Sequence, residues 1–474
     1  MGSRIIFDKL FLHKSPPKIP SGQARVRRKG GVGGISPCPS VPPSGARQSV
    51  SLKKGSREVY NYSTMLFGQK PCPDCAPAQV NHAVCRTAAY LSLVIKPLLR
   101  PLDYLTRVFL PPRKFSWFDI AAPKALRALA FFRIGALDDT VLESDSDRTR
   151  CLWVSAKQRG IELSMFRCGP IKDLFIARHC GETRCFDGLP RPVGPEAPSL
   201  YWMDNKALMR KRFAQAVIPV ARGGTAFTKK RALTLFRSLA KPVIVKPYSG
   251  SRSRHTTIHL ETENEFLKAF RRAKQLSPLA LIEEELEGFV HRGTLIGGKL
   301  AAVLRREPPH VIGNGKDTVA ALVAAENKRP ERHGHTFQPI ATGAEAEAEL
   351  VRQKLDWRSV PARGAMVTLN QKISRGVGAS NTEATERMHP ENRALLEKIG
   401  ALLADPLVGV DFIMRDVAAP WQSEPRSGVI ECNSLPFIDL HHYPLNGAPR
   451  NVAGALWDLI FPDSSPKKEA RTKA

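Results

Sequence analysis

The chain has 474 residues, 42% of them apolar, and carries 72 Lys and Arg against 44 Asp and Glu for a formal net charge of +28. That length and apolar content allow more than one buried core and about three domains. The charge would ordinarily point to nucleic acid, but its distribution argues against that reading, because residues 1–60 alone hold twelve Lys and Arg against Asp8 and Glu58.

That first segment is also rich in Pro, Gly and Ser, so it cannot bury enough apolar surface to offset its ordering entropy, and we expect disorder there. A reading frame restarting at Met65 is the companion expectation. No secretory signal is visible, since Arg27-Arg28-Lys29 runs into Gly-Gly-Val-Gly-Gly instead of an apolar core. Cys72-Pro-Asp-Cys75 with His82 and Cys85 has the donor spacing of a small zinc knuckle, yet no periodic apolar pattern wraps it, which favours free thiols. Residues 88–110 are the most hydrophobic stretch but are cut by Lys96, Pro97, Arg100, Pro101 and Asp103, so they cannot span a bilayer and read as a short amphipathic segment. Nine scattered cysteines without a signal fit a reducing compartment, so a cytoplasmic protein is expected.

Residues 116–204 read as a small α/β domain and linker. Strands are expected over 151–154 and 161–166 and a helix over 121–134, with the linker marked by Pro190, Pro192, Pro195 and Pro198. Next comes an apolar strand, Pro242 to Val245, ending in Lys246. A small-residue loop with two arginines follows, Ser249-Gly250-Ser251-Arg252-Ser253-Arg254. Backbone N–H groups of such a turn can cradle an anion while Lys246 and Arg254 add full charges, so it reads as a phosphate grip. Leu281-Ile282-Glu283-Glu284-Glu285-Leu286 could meet an adenine edge. Gly313-Asn314-Gly315-Lys316 lacks the upstream glycine of a Walker loop.

Gly409-Val410-Asp411 and, twenty residues on, Glu431-Cys432-Asn433 supply the strongest pattern. In a strand Glu431 and Asn433 share a face, about 6 to 7 Å apart. The Pro, Gly and Ser between 418 and 428 let the chain turn back and set the Asp411 strand beside them. Three hard oxygen donors suit Mg²⁺ and, with it, nucleotide phosphates. Cys432 faces the other side as a core thiol.

In this order the motifs resemble the ATP-grasp superfamily, and within it the amide-ligase module of cyanophycin synthetases and bifunctional glutathione-synthesising ligases. The resemblance covers residues 202–462 and rests on Asp204-Asn205-Lys206, Val245-Lys246-Pro247, Gly298-Lys299-Leu300 with Arg305-Arg306-Glu307-Pro308, Gly313 to Thr318, His389-Pro390-Glu391-Asn392, Asp411, Glu431-Cys432-Asn433, and Tyr443-Pro444. It implies an α+β class with the ATP-grasp fold: a small lobe over 205–285 and a large lobe with the metal site over 286–462, gripping the nucleotide. These follow residues 1–115 (basic extension with the amphipathic segment) and the α/β domain, with a disordered tail over 463–474.

The resemblance further implies ATP and two Mg²⁺ ions, with Mn²⁺ able to substitute. Lys206, Lys246, Ser249, Gly250, Ser251, Arg254, Glu283, Glu284 and Leu286 would bind ATP. Asp411, Glu431 and Asn433 would hold the metal, and Arg306, with Lys246, would steady the acyl phosphate. Ser374, Arg375, Gly376 and His441 would meet substrate. The implied activity is ATP-dependent carboxylate–amine ligation of amino acids or short peptides through an acyl phosphate, without a second ligase module, in an enzyme that pairs as a homo-oligomer and binds no nucleic acid. The alternative is phosphoryl transfer to a non-carboxylate acceptor, or nucleotide binding without turnover.

Departures from the family are equally legible. Ser253 and His255 stand where glycines are usual, Val290 where an acid is common, leaving Glu287 for the ribose, and Phe437 and Asp439 replace a glycine and an arginine. The changed Asp439 position implies a different acceptor.

Overall fold

The computed structural model describes residues 72–464 except 76–78, 110–115, 170, 193–196, 204, 250–253 and 335. The expectations for residues 1–71 and for the tail from 465 on therefore lie outside the described residues. Chain order begins with α1 (His82–Phe109), a 28-residue helix where the sequence indicated only a short segment, and α2 (Ser116–Phe131). Beyond α2 the backbone turns, with Arg133 at φ 58°, so the helix stops short of 134.

There follow β1 (Ala136–Asp138), α3 (Asp147–Gln158), β2 (Glu162–Cys168), β3 (Ile171–His179) and β4 (Glu182–Asp187). The strand expected over 151–154 is the middle of α3. Its helical start comes from Ser146, whose side chain accepts the Thr149 N–H as an N-cap, a signal that outweighs a four-residue apolar run. The sheet β1-β2-β3-β4 is antiparallel throughout, not the parallel arrangement that reading residues 116–204 as an α/β domain carries. Its β2–β3 and β3–β4 connections are too short for a parallel crossover: β3 and β4 are joined by Cys180 and Gly181, both at positive φ.

This first sheet is not free-standing. Leu152, Trp153 and Ala156 of α3 share one apolar cluster with Ile296, Leu407, Leu456 and Trp457 from the C-terminal half. The Trp457 Nε1–H donates to the Leu152 carbonyl at 3.0 Å, satisfying the one polar atom of a fully buried ring.

The next layer comprises α4 (Lys206–Gln215), β5 (Gly223–Ala226), α5 (Lys229–Ser238), β6 (Val243–Pro247), β7 (Thr257–Leu260), α6 (Glu263–Ala273) and β8 (Ala280–Glu284). Its strands pair antiparallel in the order β5-β8-β6-β7. Phe236 of α5 and Phe266 and Phe270 of α6 pack on Val243, Val245 and Ile282. By alternation Lys246 then projects from the opposite face of β6.

The largest sheet has the order β13-β10-β9-β14-β15, all antiparallel, from β9 (Phe289–Ile296), β10 (Lys299–Glu307), β13 (Ser380–Glu383), β14 (Leu407–Met414) and β15 (Gly428–Asn433). Gly297 and Gly298, at φ 58° and 78°, make the two-residue β9–β10 turn that demands positive φ twice. Between β10 and β13 a subdomain of β11 (His310–Ile312) and β12 (Met366–Thr368) closes its own core around Val311, Val319, Leu350 and Val367. One face of the large sheet, with Val408, Val410 and Cys432, is buried against Leu396 and Ile399 of the helix Pro390–Leu403 and Met209 and Phe213 of α4. Cys432 is the core thiol expected from alternation. No described helix is long and apolar enough to cross a membrane.

Candidate active site

The face of the large sheet opposite Val410 and Cys432 carries the charges. Asp411 on β14 stands directly across from Glu431 on β15 and, on its other side, from Arg292 on β9, so three ionisable side chains form a row over adjoining strands. Asn433 follows Glu431 on that face, opposite Gly409. The strand pairing expected from the turn residues between 418 and 428 is therefore present.

Arg292 grips Asp411 through both carboxylate oxygens, at 2.6 and 2.5 Å, with each side chain about 6% exposed. Burial pushes the Asp411 carboxyl up, and the guanidinium of Arg292, backed by Arg306, outweighs it and holds the group below its ordinary range. Arg306 Nη1 lies 3.8 Å from Asp411 Oδ2, and its other terminus donates to the Ile373 carbonyl at 3.3 Å. It thus spans from the carboxylate row to the Lys372–Gly376 loop.

A second ionic cluster occupies the small sheet. Glu283 on β8 accepts Lys246 Nζ at 2.6 Å and Arg210 Nη1 at 3.0 Å. Burial raises its proton affinity, but the two cations prevail and keep it ionised. Lys206, the first residue of α4, is shifted downward by burial and then by Lys246, opposed by Glu431 and Glu283. One lysine therefore feels a carboxylate from each sheet.

The remaining candidates are placed as follows. Ser249 donates to Ser277 Oγ at 3.3 Å, and Arg254 is partly buried, while Gly250 and Ser251 lie outside the described residues, as does Asp204. Glu284 Oε1 accepts the Ala240 N–H at 3.0 Å, and Leu286 packs beside Gly428. Glu287 is paired with Arg415 and, at 3.0 Å, with Arg426. Ser374 leads into the turn Arg375–Val377, which includes Gly376. Arg375 reaches Asp439 Oδ2 at 2.8 Å, so the residue that departs from the family pattern is neutralised by the Lys372–Gly376 loop itself. His441 is fully buried, its Nε2 2.8 Å from Thr294 Oγ1, and its Nδ1, like Asp439 Oδ1, is buried without a hydrogen-bond partner among the described residues.

Two functional neighbours escaped the sequence reading. Arg210 is four residues after Lys206 on the same helix, a spacing that puts both on one face. Arg292 is a charged residue in the buried stretch of β9, a position that calls for a buried partner.

Three histidines here stay neutral, His291 and His441 buried and His442 half-buried. Burial drives His441 to about 3, aided by Arg292, and His442 and His291 to about 4. His442 Nε2 accepts the Ala453 N–H at 2.9 Å and cannot do so once protonated. A folded-state pKa below the unfolded value means the unfolded chain takes up protons first, so stability is full above about pH 6.5 and falls as pH drops toward about 4. The urea midpoint is expected to fall steadily across that window, and His442→Gln to flatten the slope; an unchanged slope would contradict the assignment.

No family model matches the chain. It is 32% identical over 225 residues to a cyanophycin synthetase of Nostoc sp. (strain PCC 7120 / SAG 25.82 / UTEX 2576), a match covering 47% of this chain and 25% of the relative. A bifunctional glutathione biosynthesis protein of Mannheimia succiniciproducens is 30% identical over 269 residues, 55% of this chain and 36% of that protein. The chain thus spans about a quarter to a third of the length of the curated relatives it matches. The crystal structure of a bifunctional glutathione synthetase from Pasteurella multocida superposes with a TM-score of 0.52 at 24% identity, covering 67% of this chain and 43% of that one, and shares its fold. By this kinship in sequence and this common fold, the chain is related to the ATP-grasp superfamily.

Proposed function

We propose that the protein is an ATP-dependent carboxylate–amine ligase that makes an amide or peptide bond through an acyl phosphate. One observation carries the reading: α4, which starts at Lys206 and bears the Arg210 held by Glu283, packs through Met209 and Phe213 on the large sheet that carries Asp411, Glu431 and Asn433, so the cations of one sheet and the carboxylates of the other are built on one packed framework. Lys206 and Lys246 hold the ATP phosphates, and Arg210 and Lys246 are kept in place by Glu283. With the Glu284 and Glu285 N–H groups already donating to the Arg222 and Pro242 carbonyls, the Leu286 amide is left to meet adenine.

The donor set supports Mg²⁺. Asp411, Glu431 and Asn433 offer hard oxygens on one face, and Arg292 occupies only one lone pair on each Asp411 oxygen, which leaves coordinating capacity while orienting the carboxylate. Bound there, Mg²⁺ ions would neutralise the charge that spreads over the transferred phosphoryl group. A carboxylate oxygen of the substrate attacks the γ-phosphorus and the β–γ bridging oxygen leaves with ADP. Arg306 stabilises the acyl phosphate, and an amine nitrogen then attacks its carbonyl carbon, expelling Pi. The relatives' names point to amino acids or short peptides as substrates. The orphaned Asp439 Oδ1 and His441 Nδ1 support a polar group on the substrate side.

Hydroxylamine trapping tests the reading. Supplied with ATP, Mg²⁺ and amino acids or dipeptides, the protein is expected to release ADP and yield a hydroxamate. ADP release with a stable phosphorylated product instead would identify a kinase and overturn it. Lys246→Ala is expected chiefly to raise the apparent KM for ATP, about tenfold or more for the loss of one charge-assisted contact. An unchanged KM would move the phosphate grip elsewhere.

A further inference from the structure

Far in sequence from the carboxylate row, four soft or borderline donors converge. The Cys72, Cys75, His82 and His255 ligand atoms all lie within 4.8 Å of one another. Cys72 Sγ is 3.5 Å from His255 Nε2, Cys75 Sγ is 3.4 Å from the same nitrogen, and Cys75 Sγ is 3.4 Å from His82 Nε2. A tetrahedral zinc with ordinary Zn–S and Zn–N lengths places sulfur and nitrogen ligands about 3.5 Å apart, so the observed spacings match those of an occupied site. Cys85, the fourth donor that the sequence spacing offered, packs with Val80 and Leu276, and His255, 180 residues from Cys75, takes its place.

The surroundings are built for ligation. His255 Nδ1 is 2.9 Å from the Arg272 carbonyl, which can only accept, so that nitrogen carries the proton and Nε2 presents its lone pair to the sulfurs. A single lone pair cannot serve two thiols well, whereas one cation at the centre satisfies all four donors. Asp74, between the cysteines, pairs with Arg272 at 3.3 Å and ties the knuckle to the helix that orients His255. Cys75 and His255 are each about 1% exposed. His255 also sits at φ 51°, in the left-handed region.

We propose that these four residues form a structural Zn²⁺ site that fastens the segment preceding α1 to the downstream end of the Ser249–Arg254 loop. Two cysteines and two histidines in tetrahedral spacing select zinc over the hard cations suited to the carboxylate row. The site makes the loop's exit a fixed point.

The test uses the untagged full chain, expressed with added zinc and purified without chelator, and reads metal by mass spectrometry without nucleotide, so its outcome is independent of the ligase reading. About one zinc per chain is expected, and Co²⁺ exchanged into the protein should show tetrahedral d–d absorption with thiolate charge transfer. The site predicts that His255→Gly and Cys75→Ser each lose the zinc, and that a chelator lowers the Tm of the parent chain while leaving that of either variant unchanged. A zinc-free wild-type chain, or His255→Gly with full zinc content, would overturn the proposal.

Discussion

Replacing Glu431 with Gln is expected to lower ADP release by on the order of 10³-fold or more while leaving Tm within a degree or so of the parent. The expectation rests on how Glu431 is placed. It is partly exposed on the sheet face that it shares with Asp411, and no ion pair among the described residues depends on it. The amide keeps the size and one oxygen of the carboxylate but removes the negative charge that a divalent cation requires. Undiminished turnover would contradict its assignment as a metal ligand. A large fall in Tm would show a structural role instead.

Asp411→Asn is expected to behave differently although it removes the same charge from the same row. Arg292 is buried against Asp411 and has its carboxylate as principal counter-ion, so the variant strands a buried guanidinium. Breaking such a pair typically costs about 3–5 kcal/mol, much of it the penalty on the abandoned charge. Urea unfolding should show that loss together with loss of activity, and the double variant Asp411→Asn/Arg292→Met should recover a large part of the stability and none of the activity. Equal stability of Asp411→Asn and the parent would mean that the ion pair is not formed as described. The contrast between these two positions separates metal binding from scaffold, which neither variant achieves alone.

The features legible from sequence were those written locally. Turn residues between 418 and 428 and the alternation around Cys432 were enough to set Asp411 beside Glu431. The Gly297-Gly298 hairpin was written just as locally but was not singled out in the sequence, although few residues other than glycine accept positive φ twice in succession. What failed was decided by partners or by competing local signals. Residues 151–154 look like a strand until the Ser146 cap and the buried stripe through Ala156 are counted. Arg292 and Asp411 are separated by 119 positions, and nothing near either names the other. Glu283 is likewise held by Lys246 and Arg210 from two other elements, a pairing that its acidic run does not disclose. Long-range ionic pairing leaves only a weak trace in a single sequence: a charge where an apolar residue is due.

The account depends on the two charged clusters acting together on one ligand. Isothermal calorimetry of the purified full chain with ATP in excess Mg²⁺ tests that most directly. Saturable binding at about one nucleotide per chain is expected, weakened when Mg²⁺ is chelated and weakened again by Lys246→Ala. No binding of ATP or of a non-hydrolysable analogue by folded protein, in the presence of Mg²⁺, would contradict it.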